Sequence, residues 1–202
     1  TSDHGECLGA RGLFGKRTLY EESSGIPFIL SGPDVPAAKT SATPISLIDC
    51  FPTILEAMGV SADVEDRDLP GISLWQVAQE PDRDRNVFSE YHAVGSRNAA
   101  YMLRSRQYKL IHYVNAPPQL FDLEKDPNEC SDLSEETDHQ PVLANLERYL
   151  KNILDPNATN TQAKADQKYK IEKFGGQDVV RKRGAFANSP VPGESPKFLL
   201  YA

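Results

Sequence analysis

TSDHGECLGARGLFGKRTLYEESSGIPFIL, residues 1–30, is the stretch on which the reading of the chain turns. Asp3 and His4 are adjacent and Gly5 follows at once. A carboxylate is a hard oxygen ligand and a neutral imidazole a borderline nitrogen ligand. Side by side at a strand end, the two can reach one metal ion from a single turn. Gly5 and Gly9 allow sharp backbone turns after this pair, and Gly12 and Gly15 do so before Lys16. A metal pair, a flexible loop and then a compact cation is an arrangement suited to holding a tetrahedral oxyanion. Taken alone, an Asp-His pair also fits a surface turn, and a lysine after glycine also fits a solvated side chain.

The stretch as a whole resembles the metal-binding segment of the sulfatase family, within the alkaline-phosphatase superfamily. Members carry S-D-H-G or S-D-N-G, a Gly-rich loop, G-L-x-x-K, then Y-E-x-S and a Pro-containing strand. Here these are Ser2 to Gly5, Gly12 to Lys16, Tyr20 to Ser23, and the run around Pro27. The resemblance implies an α/β fold. Residues 1–80 would be the C-terminal part of an alkaline-phosphatase-like α/β/α sandwich. Residues 81–202 would form a small α+β subdomain with an antiparallel sheet and a helical and extended tail. Sulfatases are several hundred residues long, so the chain reads as the C-terminal portion of one.

Composition bounds the alternatives. Of 202 residues, 39% are hydrophobic and 25% charged, enough for a sizeable core in one or two domains. The net charge of −7 argues against nucleic acid as the main partner. No apolar run approaches the roughly 18 residues needed to cross a bilayer, so no membrane partner is expected. Cys7, Cys50 and Cys130 fit neither a disulfide framework nor a zinc site.

In chain order, Tyr20 to Ser23 reads as the end of a short helix, with Glu21 and Glu22 on a solvated face. Ile26 to Leu30, closed by Ser31-Gly32-Pro33, reads as a buried strand that would lie beside strands this chain does not contain. Pro33 to Thr43 is a loop. Ile45 to Gly59 reads as helical, with Ile48, Phe51, Ile54, Leu55 and Met58 at three- and four-residue spacing. Pro52 belongs in its first turn, Gly59 at its stop, and Asp49 in local hydrogen bonding near its start. Leu74 and Trp75 are expected to pack inward. Asn86 to Ala93, Ala99 to Val114 and Gln119 to Leu123 alternate as strands, with a hairpin turn at Arg104 to Gln107. The stretch ending LFDLEKDPNEC, Leu120 to Cys130, resembles the C-terminal end of many sulfatases. Its Asp122, Asp126 and Glu129 fit turn and helix-cap chemistry better than calcium ligation. Pro141 to Asp155 is an amphipathic helix, Asn160 to Phe174 a polar one stopped by Gly175-Gly176, and Gln177 to Arg183 a short third. Phe186 to Ala202 is rich in Pro, Ser and Gly and reads as an extended surface tail, a candidate homo-oligomer contact.

The resemblance also implies the chemistry. In sulfatases a cysteine or serine in C/S-x-P-x-R becomes formylglycine. Its hydrate attacks the sulfur of a sulfate ester while a divalent metal and cationic side chains stabilise the charge on the sulfate oxygens. No such motif occurs here. The formylglycine nucleophile would lie outside this chain, with the other metal ligands. Matched by motif, Asp3 and His4 would bind the metal, calcium first, with manganese or magnesium as alternatives. Lys16 would be the catalytic cation on a sulfate oxygen. Glu90 and His92, on one face of the strand opening the subdomain, are candidates for binding the alcohol half of a sulfate ester substrate or assisting its departure. Cross-sheet hydrogen bonding is the competing role for both. Two other functions stay open: a phosphonate monoester hydrolase or phosphodiesterase of the same superfamily, and a catalytically silent interaction domain. The compartment is open between bacterial cytoplasm and periplasm.

Overall fold

The computed structural model describes residues 1–80, 83–92, 96–183, 185, 186, 193, 195, 198 and 199. The chain divides into two compact units, Thr1–Pro156 and Asn157–Ala202. The first is built on a four-stranded antiparallel meander: β1 (Val87–Tyr91), β2 (Ala100–Arg104), β3 (Tyr108–Tyr113) and β4 (Gln119–Asp122), in the order β1-β2-β3-β4. The expected hairpin joins β2 to β3, with Leu103 opposite Leu110 and the Ser105 amide donating to the Tyr108 carbonyl over 2.9 Å.

Alternation sends successive side chains of each strand to opposite faces. On one face Tyr101, Leu103, Leu110 and Leu120 are fully buried against α4 (Gln140–Ile153), whose Leu146 and Leu150 point into them. The amphipathic pattern read from Pro141 onward is therefore a helix laid on the sheet. On the other face Met102, Ile111 and Phe121 pack with Leu19 and Tyr20 of the N-terminal stretch. The sheet is covered on both sides, and the segment carrying Asp3, His4 and Lys16 belongs to one of those covers.

The helix expected at Ile45–Gly59 forms as a 3-10 turn, Leu47–Asp49, running into α2 (Cys50–Met58). Pro52 sits in the first turn and Gly59, at φ 65°, caps the end in the left-handed region. Ser73 caps α3 (Leu74–Gln79) through its hydroxyl, which accepts from the Trp75 amide over 3.3 Å. Leu74 and Val77 are the buried residues of that helix, and Trp75 is half-buried rather than inward.

Three local expectations differ. Tyr20–Ser23 opens a helix instead of ending one: Tyr20 is the N-cap of α1 (Glu21–Ser24). Glu21 and Glu22 are not on a solvated face, since Glu21 pairs with buried Lys109 at 2.8 Å and Glu22 with Arg11 at 3.3 Å. Ile26–Leu30 is neither buried nor in a strand; Ile29 is 82% exposed. A strand needs a ladder partner, and none of the described strands lies against this run.

In the second unit, α5 (Pro156–Lys173) begins at the boundary and ends before Gly175 and Gly176, at φ 98° and 89°. Then come α6 (Gln177–Arg183) and a two-residue ladder of β5 (Ala185–Phe186) with β6 (Phe198–Leu199). Most of the tail expected to serve an oligomer contact lies outside the described residues. Cys7, Cys50 and Cys130 are all free thiols. No helix among the described residues is long and apolar enough to cross a membrane.

Candidate active site

Asp3, His4 and Lys16 meet. The His4 Nε2 lies 3.2 Å from Asp3 Oδ2 and in hydrogen-bond contact with Lys16 Nζ. The other ring nitrogen, Nδ1, is 2.7 Å from the Gly5 carbonyl oxygen. A carbonyl can only accept, so Nδ1 carries the proton, and in the neutral ring Nε2 keeps its lone pair. That tautomer is the one a metal-binding histidine needs, with its backbone partner orienting the ring. A carboxylate oxygen, an imidazole lone pair and an ammonium group thus share one partly exposed space.

The backbone explains the meeting. Residues 5–16 double back on themselves: the Cys7 amide donates to the Gly15 carbonyl at 3.0 Å, and the Gly9 amide to the Leu13 carbonyl at 2.8 Å. Gly9 and Gly15 stand at φ 94° and 89°, where a side chain would be strained. Glu6 Oε1 accepts from the Gly15 amide and closes the loop. Helix α1 then fixes both ends. Ser23 accepts at its carbonyl from the Gly5 amide, at 2.8 Å, and donates from Oγ to the Lys16 carbonyl, at 2.8 Å. Gly5 serves close approach, not the turn expected of it: a Cβ there would stand 2.2 Å from the Glu22 carbonyl oxygen.

Beneath the loop lies a set of charges that local pattern reading misses. Lys109 on β3 and Glu129 are fully buried and pair at 2.8 Å. Lys109 Nζ also reaches Glu21 Oε1 at 2.8 Å and Ser24 Oγ at 3.2 Å. Glu129 Oε2 accepts from the Glu21 amide at 2.7 Å and lies 3.6 Å from Arg11. Arg11 donates to the carbonyls of Glu129, at 2.9 Å, and Asn128, and stacks 4.1 Å above the Tyr20 ring. Burial lowers the pKa of Arg104 on the neighbouring strand, against the opposing pull of Glu21 and Glu129. Glu129 is thus a buried ion-pair partner rather than turn chemistry. Asp122 does cap a turn: its Oδ1 accepts from the Glu124 and Lys125 amides at 3.2 Å, and Oδ2 from Gln107 at 2.9 Å. Desolvation would raise its pKa, but these bonds and Lys125 together hold it below the ordinary value. Asp126 accepts from the Ser131 amide at 2.7 Å.

A second buried carboxylate, Asp49, is also more than local chemistry. It takes a two-pronged pair from Arg85, both contacts 2.7 Å, plus the Ser46 amide at 2.8 Å and the Ile72 amide at 2.9 Å. Glu90 at the end of β1 and His92 just past it are bonded to each other, Nε2 to Oε2 at 3.0 Å, with the His92 ring at a steep angle to that of Tyr101.

For a divalent cation, Asp3 and His4 supply an oxygen and a nitrogen of suitable chemistry. Among the described residues no group of three or more His, Cys, Asp or Glu side chains is arranged to hold a metal. A hard cation takes six or more ligands, so this pair suits part of a coordination shell.

This fold and loop have relatives. The family described as N-sulphoglucosamine sulphohydrolase, C-terminal, matches residues 9–155. The chain is 32% identical over 186 residues to arylsulfatase K of Bos taurus, covering 86% of this chain and 33% of that protein. It is 35% identical over 134 residues to the choline-sulfatase of Rhizobium meliloti, covering 66% of this chain and 26% of that protein. A solved protein in complex with its substrate D-glucosamine-2-N,6-O-disulfate superposes at TM-score 0.65, with 27% identity over 81% of this chain and 34% of that one. The phosphonate monoester hydrolase of Agrobacterium radiobacter shares the fold at TM-score 0.59 and 23% identity, over 74% of this chain and 33% of that one. The chain belongs to the sulfatase family, as a C-terminal sulfatase domain homologous to arylsulfatases. It spans about a third of the length of the curated relatives it matches.

Proposed function

We propose that the chain is the C-terminal portion of a metal-dependent sulfuric ester hydrolase. Residues 1–80 belong to its catalytic domain and 81–202 to its subdomain. Asp3 and His4 supply two ligands of a divalent site, calcium first among the candidates, and Lys16 holds a sulfate oxygen. The observation that carries this reading is the convergence of Asp3 Oδ2, His4 Nε2 and Lys16 Nζ, with Nδ1 of His4 turned to the Gly5 carbonyl. When bound, the metal supplies electrostatic stabilisation of sulfate oxygens. The chain's own residues orient: Gly5 sets the imidazole, Ser23 sets the Lys16 backbone, and the Lys16 ammonium offers a compact positive charge to an oxyanion. The 202 residues hold no C/S-x-P-x-R motif, so the nucleophile in this reading comes from other sequence. The chain alone is expected to turn over no ester and to bind calcium weakly. Submicromolar calcium binding by the isolated chain in calorimetry contradicts the assignment of the other ligands elsewhere.

The phosphonate hydrolase neighbour shares the fold, which makes ester preference the deciding measurement. The complete enzyme is assayed on matched sulfate, phosphonate and phosphodiester substrates. Faster turnover of sulfate esters supports the reading, and faster turnover of either of the others overturns it. Glu90 and His92 are proposed to contact the alcohol half. Glu90→Ala and His92→Ala should change the preference among sulfate esters with metal content intact. Equal kinetics on every ester would remove both residues from the substrate site.

A further inference from the structure

We propose that the buried Lys109–Glu129 pair is a positioning element for the Asp3–His4–Lys16 site. The proposal rests on the function assigned to those three residues. The path is continuous. Lys109, on the rigid β3, holds α1 by two contacts, Glu21 Oε1 at 2.8 Å and Ser24 Oγ at 3.2 Å. Glu129 holds the first turn of the same helix through the Glu21 amide at 2.7 Å. Between those points α1 presents Ser23, which bonds the residue after His4 and the carbonyl of Lys16. Glu129 also reaches the loop directly, since Arg11 pairs with its carboxylate and donates to its backbone carbonyl.

Geometry makes the arrangement sensitive. A Cβ added at Gly5 would meet the Glu22 carbonyl oxygen at 2.2 Å, so α1 and the backbone beside His4 lie in direct contact. A shift of α1 is therefore passed to the imidazole. Within α1 no apolar side chain locks the helix in place: its one buried residue is Ser23. Leu19 and Tyr20, just before it, pack on the sheet, and the helix itself is seated by polar contacts whose partners are 85 to 108 residues away in sequence. A buried ion pair is weak evidence of a stabilising role, and a neutral pair of similar volume is often tolerated. Fixing one arrangement of a loop is a role that such a replacement does not restore.

The test is the double variant Lys109→Met with Glu129→Gln in the complete enzyme. It removes both fully buried charges together, leaving Arg11 with Glu22 and the partly exposed Glu21 carboxylate to solvent. Loss of fold would reduce the amount of active enzyme without moving KM for a sulfate ester or the metal concentration needed for half activity. Misplacement of His4 and Lys16 moves both. We expect kcat/KM to fall about 10- to 100-fold, with a raised KM and a raised metal requirement, the range seen when supporting contacts of a metal site are removed. Amide hydrogen exchange should rise in peptides covering residues 1–16 and stay unchanged in β2 and β3. Wild-type kinetics, or wild-type exchange in residues 1–16, overturns the proposal. If the double variant does not fold, Ser23→Ala tests the same path at its last step. The same readouts apply, and wild-type values in them again overturn the proposal. If the wild-type enzyme hydrolyses no sulfate ester, the proposed function fails. The exchange comparison then still decides whether Lys109 and Glu129 hold the loop.

Discussion

The four-stranded sheet and the first 80 residues sit in one compact unit but bury their side chains by different means. In the sheet, Tyr101, Leu103, Leu110, Ile111 and Leu120 lose all their exposure, and apolar contact on both faces accounts for the packing. In the N-terminal part, Asp49 and its partner Arg85, and the seat of α1 on Lys109 and Glu129, are charged. Leu19, Leu74 and Val77 are buried there, but several large apolar side chains stay outside: Phe14 is 81% exposed, Ile29 82% and Met58 68%. One region is an apolar core whose second face Leu19 and Tyr20 help to cover. The other is a set of loops and short helices pinned to that core by ion pairs as well as by those two side chains, with apolar surface left over.

The largest expected effect comes from breaking a pin on one side only. Asp49→Ala strands Arg85, whereas Glu129→Ala leaves Lys109 with Glu21 and Arg11 with Glu22 as their remaining carboxylates. Asp49→Ala should cost about 3–5 kcal/mol in denaturant unfolding of the chain, because an uncompensated charge is left buried, and Glu129→Ala should cost less. A loss below about 1 kcal/mol would mean that water relaxes the pins and that the two regions differ less than their packing suggests. Leu110→Ala probes the other region and should cost about 2–5 kcal/mol through a cavity the sheet cannot close. It should leave hydrogen exchange in residues 1–16 unaltered below the global transition.

Legibility in the sequence follows the same division. Strands β1 to β4 and α4 are readable because each buries a face, and a buried face imposes a period of two or 3.6 on the residues that form it; α2 carries the same period although Phe51, Ile54 and Met58 stay exposed. Pro52 and Gly59 punctuate α2 as their backbone chemistry requires. The charged pins are not readable. Lys109 alternates within a strand like any outward lysine, and Glu21-Glu22 looks like a solvated pair. Their partners stand 88 and 11 residues away, a distance that only topology closes. Ile26–Leu30 has the composition of a buried strand, but composition supplies no ladder partner. The motif residues Asp3, His4 and Lys16, and their meeting across a flexible loop, are legible through the pattern. The means is not, because it depends on Ser23 and on the loop's folding back.

A smaller effect tests the contrast at its exposed end. In the isolated chain Ile29→Ser should change stability by no more than about 0.5 kcal/mol, as for other surface positions. In the complete protein the same substitution should cost about 1.5–3 kcal/mol if further strands cover this run. Equal effects in both would mean that Ile29 is solvent-facing in the parent protein too.

The smallest expected effect is acid-dependent. His112 sits beside Glu147 at 3.7 Å, and burial lowers its pKa against the raising influence of that carboxylate, with Lys151 adding to the lowering. A histidine whose pKa is lower folded than unfolded binds fewer protons when folded. Its contribution is therefore fully present above the ordinary value of 6.5 and is lost as pH falls through the lowered one. Stability of His112→Gln should show a shallower decline than wild type over that window. Identical slopes would assign the acid sensitivity to other groups.

Above all, Asp3, His4 and Lys16 are proposed to form one site with two jobs, metal binding by the first two and sulfate binding by the third. The deciding measurement is the metal content of the complete enzyme, taken alongside competitive inhibition by inorganic sulfate, for Asp3→Asn, His4→Ala and Lys16→Ala. The first two substitutions should lower the affinity for divalent metal by at least about tenfold. Lys16→Ala should keep the metal and weaken sulfate inhibition. Full metal occupancy in His4→Ala, or unchanged sulfate inhibition in Lys16→Ala, would contradict this division of roles.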